Sequence, residues 1–154
     1  MSGPAATAPL IASGLVEAID AGGWLARLGA LGGGGVASFC GHVRGDGGIV
    51  ALELEHYPGM TEAALADIAA EAARRWPLVG IVVEHRVGRL PVGEAIVLVA
   101  TASPHRAAAL EACAYAIDRL KTDAPFWKRE HFVDGQSAWV EAKAGDAAVR
   151  ARWG

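Results

Sequence analysis

At 154 residues and a net charge of −3, the chain has the size of one domain able to bury a sizeable core, without a basic surface for nucleic acid. Hydrophobic residues make up 53%, yet no apolar run approaches the roughly 20 residues a spanning helix needs. Membrane protein and general nucleic-acid binder are thereby excluded, and any anion site must be a local concentration of positive charge.

The opening MSGPAATAPLIASG has neither the basic segment nor the continuous apolar run of a secretion signal, and its composition predicts a poorly ordered start over residues 1–14. LVEAIDAGGWLARLGAL (15–31) spaces its apolar residues as a helix weakened by Gly22 and Gly23, and GGGG (32–35) ends it. VASFCGHV (36–43) predicts a buried strand ending at Arg44, GDGG (45–48) a tight loop, and IVALELEHY (49–57) an alternating strand. After Pro58-Gly59, Thr61 is placed to cap a helix reaching about Trp76, with Ala64, Leu65, Ile68 and Ala72 inward and Pro77 as its stop. IVVEHRVGRL (81–90) reads as a strand, PVGE (91–94) as a turn, and AIVLVATA (95–102) as a central strand. A third helix is expected over 104–121. FWKREHFV, DGQ and SAWVEAK then form a hairpin turning at Asp134-Gly135. Strand pairs joined by short turns imply antiparallel pairing, so the expected class is α+β, a single domain over 1–154 without repeats or linkers.

Chemistry concentrates in three places. In TASPHRAAALEACAYAIDRLK, Ser103 suits the N-cap and Pro104 the first helical position, which puts His105 and Arg106 in the first turn. A cation there opposes the helix dipole unless an anion sits beside it, so a solvated Arg and an anion site both stay open. At the other end, Leu110, Ala114 and Ile117 form an expected inward stripe with Lys121 on the same face. Lys121 either snorkels, or lies partly desolvated and serves as proton donor, acceptor or nucleophile. In LKTDAPFWKRE, alternation sends Lys128 and Glu130 to one face and Trp127 and Arg129 to the other. Such aromatics beside cations suit a flat charged heterocycle and a hairpin core equally well. Arg44, closing a strand before a glycine loop, is a ligand position or a plain surface residue.

Elsewhere the signals are negative. GGGG lacks the Lys-Ser/Thr of a phosphate-binding loop, and His42, His56, His85, His105 and His131 show no metal-ligand spacing, so no metal is expected. Cys40 and Cys113 have apolar neighbours and no CxxC, and read as two buried thiols in a reducing cytoplasm.

Taken in order, FCGHVRG, LELEHYPGMTEAAL, HRVGRLPVGE, SPHRAAALEA and LKTDAPFWKRE resemble the catalytic large subunit of molybdopterin synthase, the MoaE family, over about Val36 to Trp139. The resemblance implies an α/β hammerhead-type α+β fold and a homodimer within a heterotetramer. In that assembly each large subunit holds a small ubiquitin-like sulfur-carrier subunit, whose C-terminal Gly-Gly thiocarboxylate enters a pocket. There sulfur passes to cyclic pyranopterin monophosphate (precursor Z), and two transfers build the dithiolene of molybdopterin. No cofactor is implied. The family's substrate-binding residues fall on His42, Val43, Arg44, His105, Arg106, Lys121, Lys128, Arg129 and Glu130, and the two lysines match those given catalytic roles. Some pocket residues are expected from the other protomer. The loop after Arg44 is shorter than the family's usual stretch. Two other readings of the same cations are a non-catalytic anion- or nucleotide-binding module and an enzyme acting alone on a phosphorylated heterocycle.

Overall fold

The computed structural model describes residues 8–140 and 152–153. In chain order these form β1 (Leu10–Leu15), α1 (Ala21–Gly29), β2 (Gly35–His42), a 3-10 turn at Asp46–Gly48, β3 (Ile49–His56), α2 (Met60–Arg75), β4 (Gly80–His85), β5 (Gly88–Pro91), β6 (Ala95–Ser103), α3 (Arg106–Asp123), β7 (Phe126–Phe132) and β8 (Ser137–Trp139). One sheet has the order β1-β4-β6-β2 and a second the order β5-β3-β7-β8.

The continuous apolar runs of β4 and β6 arise because the first sheet is covered on both faces. Ile81, Val83, Val97 and Val99 point to α2 and α3, joining Leu65, Ile68, Ala72, Ala112, Tyr115 and Leu120 in the main core. Val82, Leu98, Ala100 and Ala102 point the other way and pack on Leu28 of α1. Each fully buried Leu, Ile or Val there contributes roughly 1.5–3 kcal/mol. A smaller core of Val43, Leu54 and Leu90, with Leu52 and Ile96 against it, joins the two sheets. Among the described residues no helix is long and apolar enough to cross a membrane.

The α+β class and the order of β2 through β8 follow the sequence reading, with several corrections. Part of the expected poorly ordered start is β1, which pairs parallel with β4 from Leu10↔Gly80 to Leu15↔His85. Ala, Ser and Gly are weak strand formers, so its composition conceals it, but β4 leaves an outer edge whose backbone groups need partners. Residues 1–7 lie outside the described residues. The first helix is also shorter than expected, because Asp20 caps it by accepting from Gly23 N at 3.0 Å. The single strand foreseen over 81–90 is two. After His85 the chain leaves the first sheet and Gly88, at φ 97°, starts it in the second.

Thr61 does not cap α2. Gly59 holds that position at φ 84°, and its N donates to Glu62 Oε1 at 3.1 Å. The helix α3 begins two residues late, with His105 at the N-cap. Ser103 ends β6 instead, where its hydroxyl donates to Pro77 O and accepts from His105 N. Its buried face runs through Ala109, Ala112, Cys113, Ala116 and Leu120, whereas Leu110 is 58% exposed. The expected inward stripe is therefore rotated to the edge of the core: Ile117 still packs half-buried against it, but Lys121, expected at the core's edge, is exposed. Cys113 is buried and its thiol is pushed up to about 11 by burial, but Cys40 is only half-buried. The C-terminal hairpin is present as β7 and β8, and its predicted extension past Val140 lies outside the described residues.

Candidate active site

At one end of β2 a bulge between Gly41 and His42 re-aims the chain. The PVGE turn then pins it. His42 Nδ1 donates to Gly93 O at 2.9 Å, Val43 N to Glu94 O at 2.9 Å, and Gly93 N to Val43 O at 2.9 Å. Val43 is itself core, 4% exposed, so it contributes a fixed backbone and not a side chain to any cavity. Arg44 projects outward, with the exposed Asp46 carboxylate 4.0 Å away. Water screens such a pair, and an incoming anion competes with it easily.

Lys121 stands in the last turn of α3 and Lys128 is the third residue of β7. The turn joining them is clamped. Thr61, fully buried, accepts from Tyr57 N at 3.0 Å and donates to Pro125 O at 2.8 Å. The ring of Phe126 stacks on that of His85, centroids 4.0 Å apart and planes 23° from parallel. His85 Nδ1 donates to Arg86 O at 2.7 Å, so its Nε2 carries the lone pair. Burial above all holds this imidazole at about 4, with the ammonium groups of Lys128 and Lys121 adding to the effect against the Arg86 hydrogen bond. Two cations delivered by two elements thus act on one buried neutral ring.

Cross-strand register confirms the alternation read for β7. Lys128 lies opposite Leu54 and Glu130 opposite Leu52, on the inner face; Trp127 lies opposite Glu55 and Arg129 opposite Glu53 on the other. Arg129 lays its guanidinium over Trp139 at 4.2 Å, and Trp127 meets that indole edge-on at 6.1 Å. Arg129 is therefore turned away from Lys128.

The strand ladders locate these groups relative to one another. His85 lies opposite Val97 on β6, and Val97 opposite Gly41 on β2. At about 4.8 Å between strands, the lysine end of the site is only roughly 10 Å from the bulge that aims His42 and Arg44. The other end of β2 is different. Gly35 pairs with Ser103, beside the start of α3 that carries His105 and Arg106. The eight residues of β2 span roughly 25 Å, and so do the 18 of α3, which runs back along β6 with Ala109 at Thr101 and Cys113 at Val99. Within one protomer the candidate residues therefore form two cationic groups, not one. Between them lies an apolar groove of about 330 Å³ lined by Phe39, Leu110, Ala114 and Ile117 among others. The rotated stripe of α3 faces this groove.

Sequence reasoning passed over Thr61 and His85 as parts of the site. The signal for His85 was available: it stands two and four residues after Val83 and Ile81, on the buried face of a strand, while the neighbouring Glu84 points to the other face.

A family model described as "MoaE protein" matches residues 16–123 of this arrangement. The chain belongs to the MoaE family. It is 55% identical over 122 residues to a molybdopterin synthase catalytic subunit of Mesorhizobium japonicum, covering 78% of this chain and 77% of the relative. Its fold matches the molybdopterin cofactor biosynthesis protein E of Burkholderia multivorans with a TM-score of 0.77 at 46% identity, over 94% of this chain and 97% of that one. A more distant match, TM-score 0.66 at 21% identity over 88% of this chain and 90% of that one, is a complex of subunits 1 and 2 of molybdopterin-converting factor from Helicobacter pylori, and it shows the fold alone. As a MoaE-family chain with the family's α+β fold, the protein is a catalytic subunit of molybdopterin synthase, an enzyme of molybdenum cofactor biosynthesis.

Proposed function

We propose that this chain, acting as a single domain in the cytoplasm, is a sulfurtransferase. It takes sulfur from the C-terminal thiocarboxylate of a small carrier subunit and passes it to cyclic pyranopterin monophosphate. The observation that carries this reading is that Lys121 and Lys128 flank one turn packed on His85 through Phe126, with His42 and Arg44 at the same end of the sheet. A thiocarboxylate, a phosphate and an oxygen leaving carbon are all anionic, and cations gathered at one end of the sheet stabilise each. Lys121, held by its helix, has the closer chemical role: it protonates the departing oxygen as the thiocarboxylate sulfur takes its place on the pterin side chain. Water then hydrolyses the resulting thioester, leaving the thiol on the pterin and a carboxylate on the carrier. Lys128 orients the thiocarboxylate. Arg44 is free to exchange Asp46 for the substrate's phosphate.

A carrier partner is in keeping with the two-subunit complex of the Helicobacter pylori relative. A homodimer is supported by the roughly 25 Å that separates His105 and Arg106 from the lysines in one chain. The exposed Val36, Phe39 and Leu110 between the two groups supply an apolar surface for a second copy.

The test is conversion of cyclic pyranopterin monophosphate by purified protein with thiocarboxylated carrier. Lys121→Ala should lose at least a hundredfold in kcat, the scale on which a general acid acts, while still co-eluting with the carrier on a sizing column. Full activity in the variant would make the cations a docking site only. Conversion without carrier would point to an enzyme acting alone.

A further inference from the structure

The two lysines do not place themselves. They bracket a turn, and that turn touches the first sheet through Phe126 stacked on His85. Phe126 and Lys128 are two residues apart on one strand and so share a face, as their register partners His56 and Leu54 do. Tilting the Phe126 ring therefore tilts the strand face that carries Lys128. His85 is rigid for reasons independent of the lysines. It is 7% exposed, ends a strand hydrogen-bonded on both sides, and its Nδ1 proton is committed to Arg86 O.

We propose that His85 is a positioning residue of the sulfur-transfer site: its ring, locked by the Arg86 carbonyl and stacked on Phe126, sets where β7 holds Lys128 across the turn from Lys121. The ring touches neither carrier tail nor pterin in this scheme. Its part is to be flat and stiff, so that the start of β7, and Lys128 with it, is held in one place. Thr61 is the second clamp, acting on the backbone at Pro125, but it fixes where the turn sits and not how the Phe126 ring is tilted. The proposal rests on the catalytic reading of the lysines, and its test separates the two.

The test measures full-length protein with thiocarboxylated carrier and cyclic pyranopterin monophosphate, well below the melting temperature of every variant. His85→Phe keeps a flat ring and should hold kcat within about threefold, whereas His85→Ala should lose at least tenfold in kcat with KM and carrier co-elution changed less than about twofold. Phe126→Leu should reproduce the loss, and combining it with His85→Ala should add little, because both remove one contact. If His85→Ala does not fold, Phe126→Leu against His85→Phe decides the question. Wild-type kcat in His85→Ala or Phe126→Leu, or a His85→Phe enzyme as slow as the alanine variant, overturns the proposal. An inactive wild type, or an active Lys121→Ala, instead overturns the sulfur-transfer reading beneath it.

Discussion

His85 also makes a stability prediction, since burial, reinforced by the charges of Lys128 and Lys121, makes its imidazole fold uncharged. Facing it are Lys121 from α3 and Lys128 and Phe126 from β7, with the Arg86 carbonyl on its own strand. Its folded value of about 4 lies below the ordinary 6.5, so between those limits the unfolded chain binds the extra proton. Stability from this group is complete above pH 6.5 and is lost as pH falls towards 4, a change of roughly 3 kcal/mol. Urea unfolding of the wild type and of His85→Phe at pH 7.5 and pH 4.5 should show it: the variant's fall in stability between the two should be smaller by about 2–3 kcal/mol. Thr61 tests the neighbouring clamp. Thr61→Val removes a fully buried hydroxyl and leaves Tyr57 N and Pro125 O without that partner. A loss of about 2–4 kcal/mol is expected, read as a lower melting temperature, because each buried orphan costs roughly 1–3 kcal/mol.

Elements show what a sequence can and cannot disclose. The strands β2, β3 and β6 and the helices α2 and α3 were legible because their apolar periods persist over eight or more residues, long enough to outweigh local composition. The strand β1 was not, because LIASGL makes sense only beside β4, a partner 70 residues away. The phase of α3 was misread for a related reason. An alanine-rich helix has a shallow pattern, and Leu110 sits on a groove while Ile117 lies between that groove and the core. Of the site, Arg44, the His105-Arg106 pair and both lysines could be picked out as charges in unusual company. That Val43 is core and Arg129 faces away required the register. Gly59 illustrates a position whose demand is purely local. At φ 84° with open space around a would-be Cβ, Gly59→Ala should cost about 1–2 kcal/mol of backbone strain and no packing loss. Thermal melting would register this as a modest drop with carrier binding retained.

At the scale of the molecule, the separation of the two cationic groups has a consequence that single variants cannot expose. If His105 and Arg106 of one protomer complete the pocket built on Lys121 and Lys128 of its partner, each dimer holds two composite sites, related by its two-fold axis. Arg106→Ala and Lys121→Ala should each be nearly inactive alone. In a mixed dimer, one site receives both substitutions and the other receives neither. The intact site takes Lys121 from the Arg106→Ala protomer and Arg106 from the Lys121→Ala protomer. Co-expressing the two in equal amounts makes half of the dimers mixed, each with one working site of two, so activity should recover to about a quarter of wild type. Two defects in a site confined to one protomer cannot complement, and a mixture no more active than its parents would place all the cations in one chain's own pocket. Leu110→Glu supplies the companion result. The residue is exposed in the protomer, so the chain should fold, but a charge on the groove between the two groups should shift the sizing profile towards monomer and abolish the recovery.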